Sequence, residues 1–244
     1  MLFKTIPTSQ IAPDVYAVRT KYVIFYICKD DRYILCIDAG LGVSAIKKEM
    51  KKIQISPEAI THIFLTHSDK DHVAGVKIFS NAKIYISKLE EPLMNGTIKR
   101  SRLTRNSKLV RDYETLSDGD IIKLRSIEVK AISTPGHTIG SMSYLINNHL
   151  LFVGDAIHLK KDKATTCVKL MNMDTRLQKE SLKKLAQLKD ISLVCTGHTG
   201  ISKNFGSIMK EWRHNLCQSE KSLSGTAPIP PTGHVRQLKS GISF

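Results

Sequence analysis

An α/β fold in one domain is what the chain predicts, and three observations carry that prediction. Runs of β-branched and aromatic residues, each of strand length, stop at turn residues. Between them stand segments whose apolar residues recur every three or four positions, the spacing of one helix face. Each half of the chain then reads as strands followed by a helix, although no repeat is visible in residue identity. At 244 residues, 41% hydrophobic and 24% charged, the chain can bury one substantial core. No apolar run approaches the roughly 20 residues needed to span a bilayer, so no membrane partner is expected.

Residues 15–18 and 22–28 read as strands, Lys29-Asp30-Asp31-Arg32 as a hairpin turn, and 33–37 as the returning strand. Val43, Ile46, Met50 and Ile53 then mark the apolar face of a helix that packs on this sheet. Ser56 as N-cap and Pro57 at the first helical position set one turn before 60–66, an apolar run with the length of a buried strand. Residues 73–79 have helical spacing and 82–87 read as strand. After the turn Ser117-Asp118-Gly119-Asp120, strands resume at 121–124 and 127–132, and 141–146 with 150–153 form a second hairpin around Asn147-Asn148. Thr175 and Gln178 have capping-box spacing and open a helix carrying Leu177, Leu182, Leu185 and Leu188. Residues 191–195 are the next strand, and 209–217, with Trp212, close a domain of residues 1–218. Residues 219–244 are polar and proline-rich without periodicity, the composition of a loosely structured tail or a cloning remnant.

The N-terminus, Met1-Leu2-Phe3-Lys4-Thr5-Ile6-Pro7, lacks the pattern of a secretory signal. Cys28, Cys36 and Cys195, three of five cysteines, lie in apolar runs as small buried hydrophobes. A cytoplasmic location is expected. Net charge is +15, from 37 basic and 22 acidic residues, a field that attracts anions. The densest basic block, residues 99–111, reads by default as a solvated face, with recruitment of an anionic substrate as the alternative. Nucleic acid is a less favoured partner, because no aromatic residue is interleaved with that block and no nucleic-acid-binding module is recognisable.

Chemistry concentrates in Thr66-His67-Ser68-Asp69-Lys70-Asp71-His72, where His67, Asp69, Asp71 and His72 follow directly on a strand. Three later strand ends carry the same residue types: Gly136-His137, Gly154-Asp155 and Gly197-His198. Upstream, the opening sheet ends at Asp38-Ala39-Gly40. Imidazole and carboxylate are the ligands that divalent transition metals take. In this order and spacing the five motifs resemble the metallo-β-lactamase superfamily, over roughly residues 15 to 214. The resemblance implies a four-layer αββα sandwich with a two-metal hydrolytic site along one edge. It further implies that His67, Asp69 and His137 bind one metal, that Asp71, His72 and His198 bind the other, and that Asp155 bridges. Asp71 is also the expected catalytic residue, orienting a metal-activated hydroxide, and Asp38 supports the site from behind its ligands.

One position departs from the family: His is usual where Asp69 stands. With His there, two aspartates and a hydroxide set three negative charges against four positive; with Asp69 the count is four against four. The first site becomes oxygen-richer, which moves preference from zinc toward manganese or iron. The expected protein is a hydrolase with two divalent ions (Zn, Mn or Fe) acting on an ester, thioester, lactone or phosphoester of a small molecule. No Gly-x-Ser-x-Gly elbow offers a serine nucleophile. A hydroxyacylglutathione hydrolase would add a C-terminal helical domain, for which too little patterned chain follows His214. The rival readings are a nuclease of the same superfamily, favoured by the charge, a diiron oxygen or nitric oxide reductase-like protein, and a scaffold without turnover. His158, three residues after Asp155, reads as packing, with a cleft-facing role as the alternative. His62, His149, His214 and His234 lie outside every motif.

Overall fold

Strands that alternate their side chains between two cores are apolar without a break, and such strands organise this molecule. The structure, a computed structural model, describes residues 4–101, 108–109 and 111–214. β1 (Ser9–Ala12), β2 (Val15–Thr20), β3 (Val23–Lys29), β4 (Ile34–Ile37), β5 (His62–Phe64), β6 (Lys83–Ser87) and β7 (Glu114–Leu116) form a seven-stranded sheet in chain order. β4 to β7 run parallel to one another. β8 (Ile121–Leu124), β9 (Ile127–Ser133), β10 (Met142–Ile146) and β11 (Leu150–Gly154) make an antiparallel run in the second sheet. The small hairpin of β12 (His158–Lys160) and β13 (Lys163–Thr165) stands apart. β14 (Leu193–Thr196), parallel to β11, and β15 (Ile201–Ser202) complete six strands.

Three cores separate four layers. Ile24, Tyr26 and Phe64 of the first sheet meet Tyr144, Phe152 and Cys195 of the second in the middle. The other face of the first sheet, with Phe25, Ile27 and Ile63, is covered by Ile46 and Met50 of α1 (Val43–Lys52), by Val73 of α2 (Lys70–Val73) and by Met94 of α3 (Glu91–Met94). The other face of the second sheet, with Leu151, Val153 and Val194, is covered by Leu182 and Leu185 of α4 (Thr175–Ala186) and by Phe205 and Ile208 of α5 (Phe205–Ile208). This is the αββα sandwich the sequence predicts. Two buried tyrosines stitch the sheets reciprocally: Tyr26 Oη donates to the Thr196 carbonyl at 2.8 Å, and Tyr144 Oη to the Leu65 carbonyl at 2.8 Å. Both carbonyls belong to segments that run directly into motif residues, so the stitches set the spacing between the two halves of the site. No helix of the described residues is long and apolar enough to cross a membrane.

Local departures from the sequence reading have local causes. Residues 73–79 are not one helix: α2 ends at Val73 and a separate turn forms at Val76–Ile78. Gly75 lies between them, against the Ala39 carbonyl, where an added Cβ would come to 1.9 Å. Asp174, not Thr175, caps α4, accepting from the Arg176 and Leu177 N–H groups. Thr175 becomes the first helical residue, Leu177 is exposed, and Gln178 turns fully inward. Ser56 makes no side-chain cap. β1, β7, β15 and the β12–β13 hairpin went unforeseen because they are short and too polar or too exposed to print an apolar run. Residues 210–214 are helical, while residues 215–217, the tail 219–244, His234, and residues 102–107 and 110 of the basic block lie outside the described residues.

Glu90 is a buried acid that the sequence did not single out, and it joins two motif loops. Its Oε2 accepts from the Ser68 N–H at 2.8 Å and the Ser68 hydroxyl at 2.5 Å; its Oε1 accepts from the Thr138 hydroxyl at 2.5 Å and the Gly140 N–H at 3.1 Å. Removing the carboxylate strands buried donors on both loops. Glu90→Ala should therefore cost about 2–4 kcal/mol of stability, read by denaturant unfolding, with Glu90→Gln recovering part of it.

Candidate metal centre

The motif residues stand at the C-terminal ends of β4, β5, β9, β11 and β14, which open onto one edge of the sandwich. Backbone bonds lock these ends together. Asp38 N–H donates to Phe64 O at 3.0 Å, Met142 N–H to Thr66 O at 2.8 Å, Gly197 N–H to Gly154 O at 2.8 Å, and Ile24 N–H to Gly197 O at 2.8 Å. Gly197 is required by closeness: a Cβ there would meet Asp155 Oδ1 at 2.5 Å and His72 Cε1 at 2.8 Å.

All seven residues singled out from the sequence converge. His67, His72 and Asp155 present ligand atoms within 4.8 Å of one another, as do His67, Asp69 and His137, and again Asp71, His72 and His198. Asp155 faces both sides: Oδ2 is 3.4 Å from His137 Nε2 and 3.2 Å from His198 Nε2, and Oδ1 is 3.6 Å from His72 Nε2. Asp71 Oδ2 lies 3.3 Å from His198 Nε2.

Each imidazole is turned by a bond on its far nitrogen. Asp38, at a left-handed φ of +63°, accepts His72 Nδ1–H at 2.7 Å, and also accepts from the Thr66 N–H and hydroxyl. Because the Thr66 hydroxyl hydrogen goes to Asp38, its oxygen is left to accept His67 Nδ1–H at 3.0 Å. His198 Nδ1–H donates to the Tyr22 carbonyl at 2.7 Å, with the Tyr22 ring stacked on the imidazole. His137 Nδ1–H faces Asn172 Oδ1 at 3.3 Å; the Asn172 amide is oriented by donating to Gln178 Oε1, and Gln178 Nε2 in turn donates to the Asp155 and Ala156 carbonyls. With each ring neutral and its Nδ1 protonated, all four Nε2 atoms offer a lone pair inward.

That inward set suits a cation. His72 Nε2 and His198 Nε2 face each other at 3.3 Å, two lone pairs in contact unless a positive charge lies with them. Among the described residues, the buried atoms His67 Nε2 and Asp155 Oδ1 have no hydrogen-bond partner. The field points the same way. Burial by itself would depress the His72 imidazole, but Asp38, Asp71 and Asp155 outweigh it and hold the ring well above its ordinary pKa. His137 is raised against its burial to about 10, by Asp155 and Asp69. Burial favours the neutral Asp155 carboxyl, yet His198, His72 and His137 hold it well below the usual range.

Sequence reasoning missed Arg100 as a site residue, although it lies in the noted basic block. Its guanidinium makes a bidentate pair with Asp69. It also missed Cys167, whose Sγ lies within 4.8 Å of ligand atoms of His137 and Asp155. Burial pushes that thiol up, but bonds with His137 and His158 bring it down to about 7. His158 therefore reaches the edge of the site through Cys167. His62 stacks on Tyr85 in the first sheet, and His149 and His214 are exposed, as structural or solvent-facing residues should be.

An αββα sandwich thus gathers histidines and aspartates at one edge, a donor set compatible with a metal site. Residues 20–198 match the metallo-beta-lactamase superfamily, and the chain belongs to that family. It is similar to a probable metallo-hydrolase of Methanocaldococcus jannaschii, 32% identical over 156 residues, which cover 64% of this chain and 65% of that one. It is also similar to a hydroxyacylglutathione hydrolase of Erwinia tasmaniensis, 30% identical over 175 residues, covering 72% and 61%. The chain thus spans a little under two thirds of the length of these relatives. Among solved structures, a B3 metallo-beta-lactamase described as having an active-site glutamic acid matches with a TM-score of 0.68 at 17% identity, over 91% of this chain and 93% of that one. A metallo-beta-lactamase family protein from Thermus thermophilus matches with a TM-score of 0.65 at 20% identity, over 87% and 82%. At such identities the likeness is one of fold.

Asp38 offers a test of the site that leaves every inward donor in place. Asp38→Ala should weaken binding of Mn2+ or Zn2+ by about 10- to 100-fold in equilibrium dialysis. Asp38→Asn, which keeps the shape but offers His72 a weaker acceptor, should fall between it and the unaltered chain.

Proposed function

We propose that the protein is a metal-dependent hydrolase of small molecules, cleaving an ester, thioester, lactone or phosphoester, with thioesters the favoured class. The observation that carries this reading is the facing of the His72 and His198 Nε2 lone pairs at 3.3 Å beside the unpartnered Asp155 Oδ1 and His67 Nε2. Such a cluster is stable only around positive charge. Its donors fall into two halves that share Asp155: His67, Asp69 and His137 on one side, Asp71, His72 and His198 on the other. These would hold two divalent cations, zinc, manganese or iron, with the oxygen-richer first half inclining to manganese or iron. When bound, such cations lower the pKa of water toward roughly 7 and polarise the carbonyl or phosphoryl oxygen of the substrate.

The residues themselves do the positioning. Asp71, whose side chain is 18% exposed, accepts a hydrogen of the attacking water and aims its oxygen at the substrate. For a thioester, that oxygen adds to the acyl carbon, the carbon–sulfur bond breaks, and the departing sulfur takes up a proton to give an acid and a thiol. Thioesters are favoured because the relative from Erwinia tasmaniensis is named a hydroxyacylglutathione hydrolase. The rim also suits an acyl chain: Val168, Leu170 and Met171 are exposed apolar side chains, and the Met171 carbonyl is bonded to Arg100 at the site. The net charge of +15 favours an anionic substrate. A cytoplasmic setting fits the cysteines Cys28, Cys36, Cys167 and Cys195, all free and buried.

Protein stripped with chelator and reloaded with Mn2+, Zn2+ or Fe2+ should hydrolyse at least one member of a panel of acyl thioesters, p-nitrophenyl esters, homoserine lactones and phosphodiesters. Turnover should vanish again on chelation, and Asp71→Asn should lower kcat by about 10²–10⁴-fold. Metal-loaded protein inactive on the whole panel would count against a hydrolase; equal activity with and without metal would remove the metal from the reaction.

A further inference from the structure

The two halves of the centre differ in one respect that their ligands alone do not explain. Arg100 reaches into the first half and not the second. Its Nε donates to Asp69 Oδ1 at 2.9 Å, and its Nη2 lies 3.0 Å from Asp69 Oδ2, 3.1 Å from His137 Nε2 and 2.7 Å from the Met171 carbonyl. His137 Nε2 also lies 3.2 Å from Asp69 Oδ2, so guanidinium, carboxylate and imidazole meet at one point. Both Asp69 oxygens and the inward His137 nitrogen are therefore taken by a side chain that is itself only 9% exposed.

We propose that Arg100 is a resident cation of the first half-site, so that the two halves fill unequally: the second takes its metal ion readily, and the first only when the ion displaces the guanidinium. The inference rests on the two-cation reading above and concerns the order and ease of loading.

The chemistry of position 69 supports it. A planar guanidinium pairs with two oxygens in one plane, which a carboxylate offers and an imidazole, with one lone pair and no negative charge, does not. Asp69 caps α2 by position without using its side chain for the purpose, so the carboxylate is available to Arg100. Charge agrees as well. Asp69, Asp71 and Asp155 carry three negative charges, and one divalent ion with one guanidinium carries three positive, so the half-loaded centre is neutral. A second divalent ion with Arg100 still seated would leave an excess of one positive charge even with the hydroxide counted. Among the described residues, no arginine or lysine pairs with Asp71 or Asp155, the carboxylates of the second half, which lie 3.2–3.8 Å from His72 and His198.

The test is metal stoichiometry, not turnover. Chelator-stripped protein is dialysed against rising free Mn2+, and separately Zn2+, and the metal per chain is read by mass spectrometry for the unaltered chain, Arg100→Gln and Arg100→Lys. The unaltered chain should take one ion in a first step and the second at a free concentration at least tenfold higher. Arg100→Gln should bring the second step down by tenfold or more, and Arg100→Lys, which keeps a charge without the fork, should lie between. Thermal unfolding of each variant, run in parallel, confirms that folded chains are compared; if Arg100→Gln does not fold, Arg100→Lys and Asp69→His carry the comparison, and each should draw the two steps together. Two ions bound with the same spacing of steps in all folded variants would overturn the role of Arg100 and leave the two-cation reading standing. One ion in every variant at any concentration would overturn both.

Discussion

Four imidazoles and three carboxylates held within contact distance repel or neutralise one another according to where each proton sits, and the rest of the structure answers that constraint. A lone imidazole turns freely. Here each is pinned from outside, His72 by Asp38, His67 by Thr66, His198 by the Tyr22 carbonyl and His137 by Asn172. The pins come from the strand end that precedes the central motif, from the motif itself, from the turn before β3 and from the loop before α4. A donor set this dense can therefore exist only once both sheets have closed. The buried Asp38 is the clearest case, since one carboxylate orients a ring and also holds the exit of β5 through the Thr66 backbone.

The sandwich supplies the rigidity. Tyr26 and Tyr144 cross the middle core in opposite directions and end on carbonyls next to the motifs, and Glu90 ties the loop after β5 to the loop after β9. α4 acts from the other side, because Gln178 holds the backbone of Asp155 and Ala156 and, through Asn172, the His137 ring. A helix that the sequence marked only by its leucines and its capping-box spacing is thus also the support for two of the seven inward residues. Asp69 and Arg100 add a further layer, a charge pair inside the donor set, and together they account for a carboxylate at a position where the resemblance led one to expect histidine.

Much of this was legible in the residues. Strands that face two cores must be apolar at nearly every position, so β3, β10 and β11 stood out, and the Asn147-Asn148 turn was marked by the residue type that tolerates the left-handed backbone both adopt. The seven motif residues were legible because each follows a strand end within eight positions and carries an unusual side chain for a buried place. Edge strands such as β1 and β7 were not, since one face is solvated and their few residues print no period. The α4 cap was misread by one position because Asp174 and Thr175 are both good caps, and only backbone geometry decides which oxygen reaches the free N–H groups.

By itself the sequence determined the layers, the family and the identity of the inward donors, because burial on two faces and a strand-end ligand are local facts written in residue type and spacing. Tertiary structure alone decided that Glu90 would be buried between two loops, that Gln178 would turn inward, and that Cys167 would sit against His137. It also decided that Arg100, one cation among many in a basic block, would be the one whose guanidinium enters the site. Charge and length look alike along a chain. Which of several equivalent side chains meets a distant carboxylate depends on the closure of loops separated by tens of residues, and that is settled only when the two sheets pack.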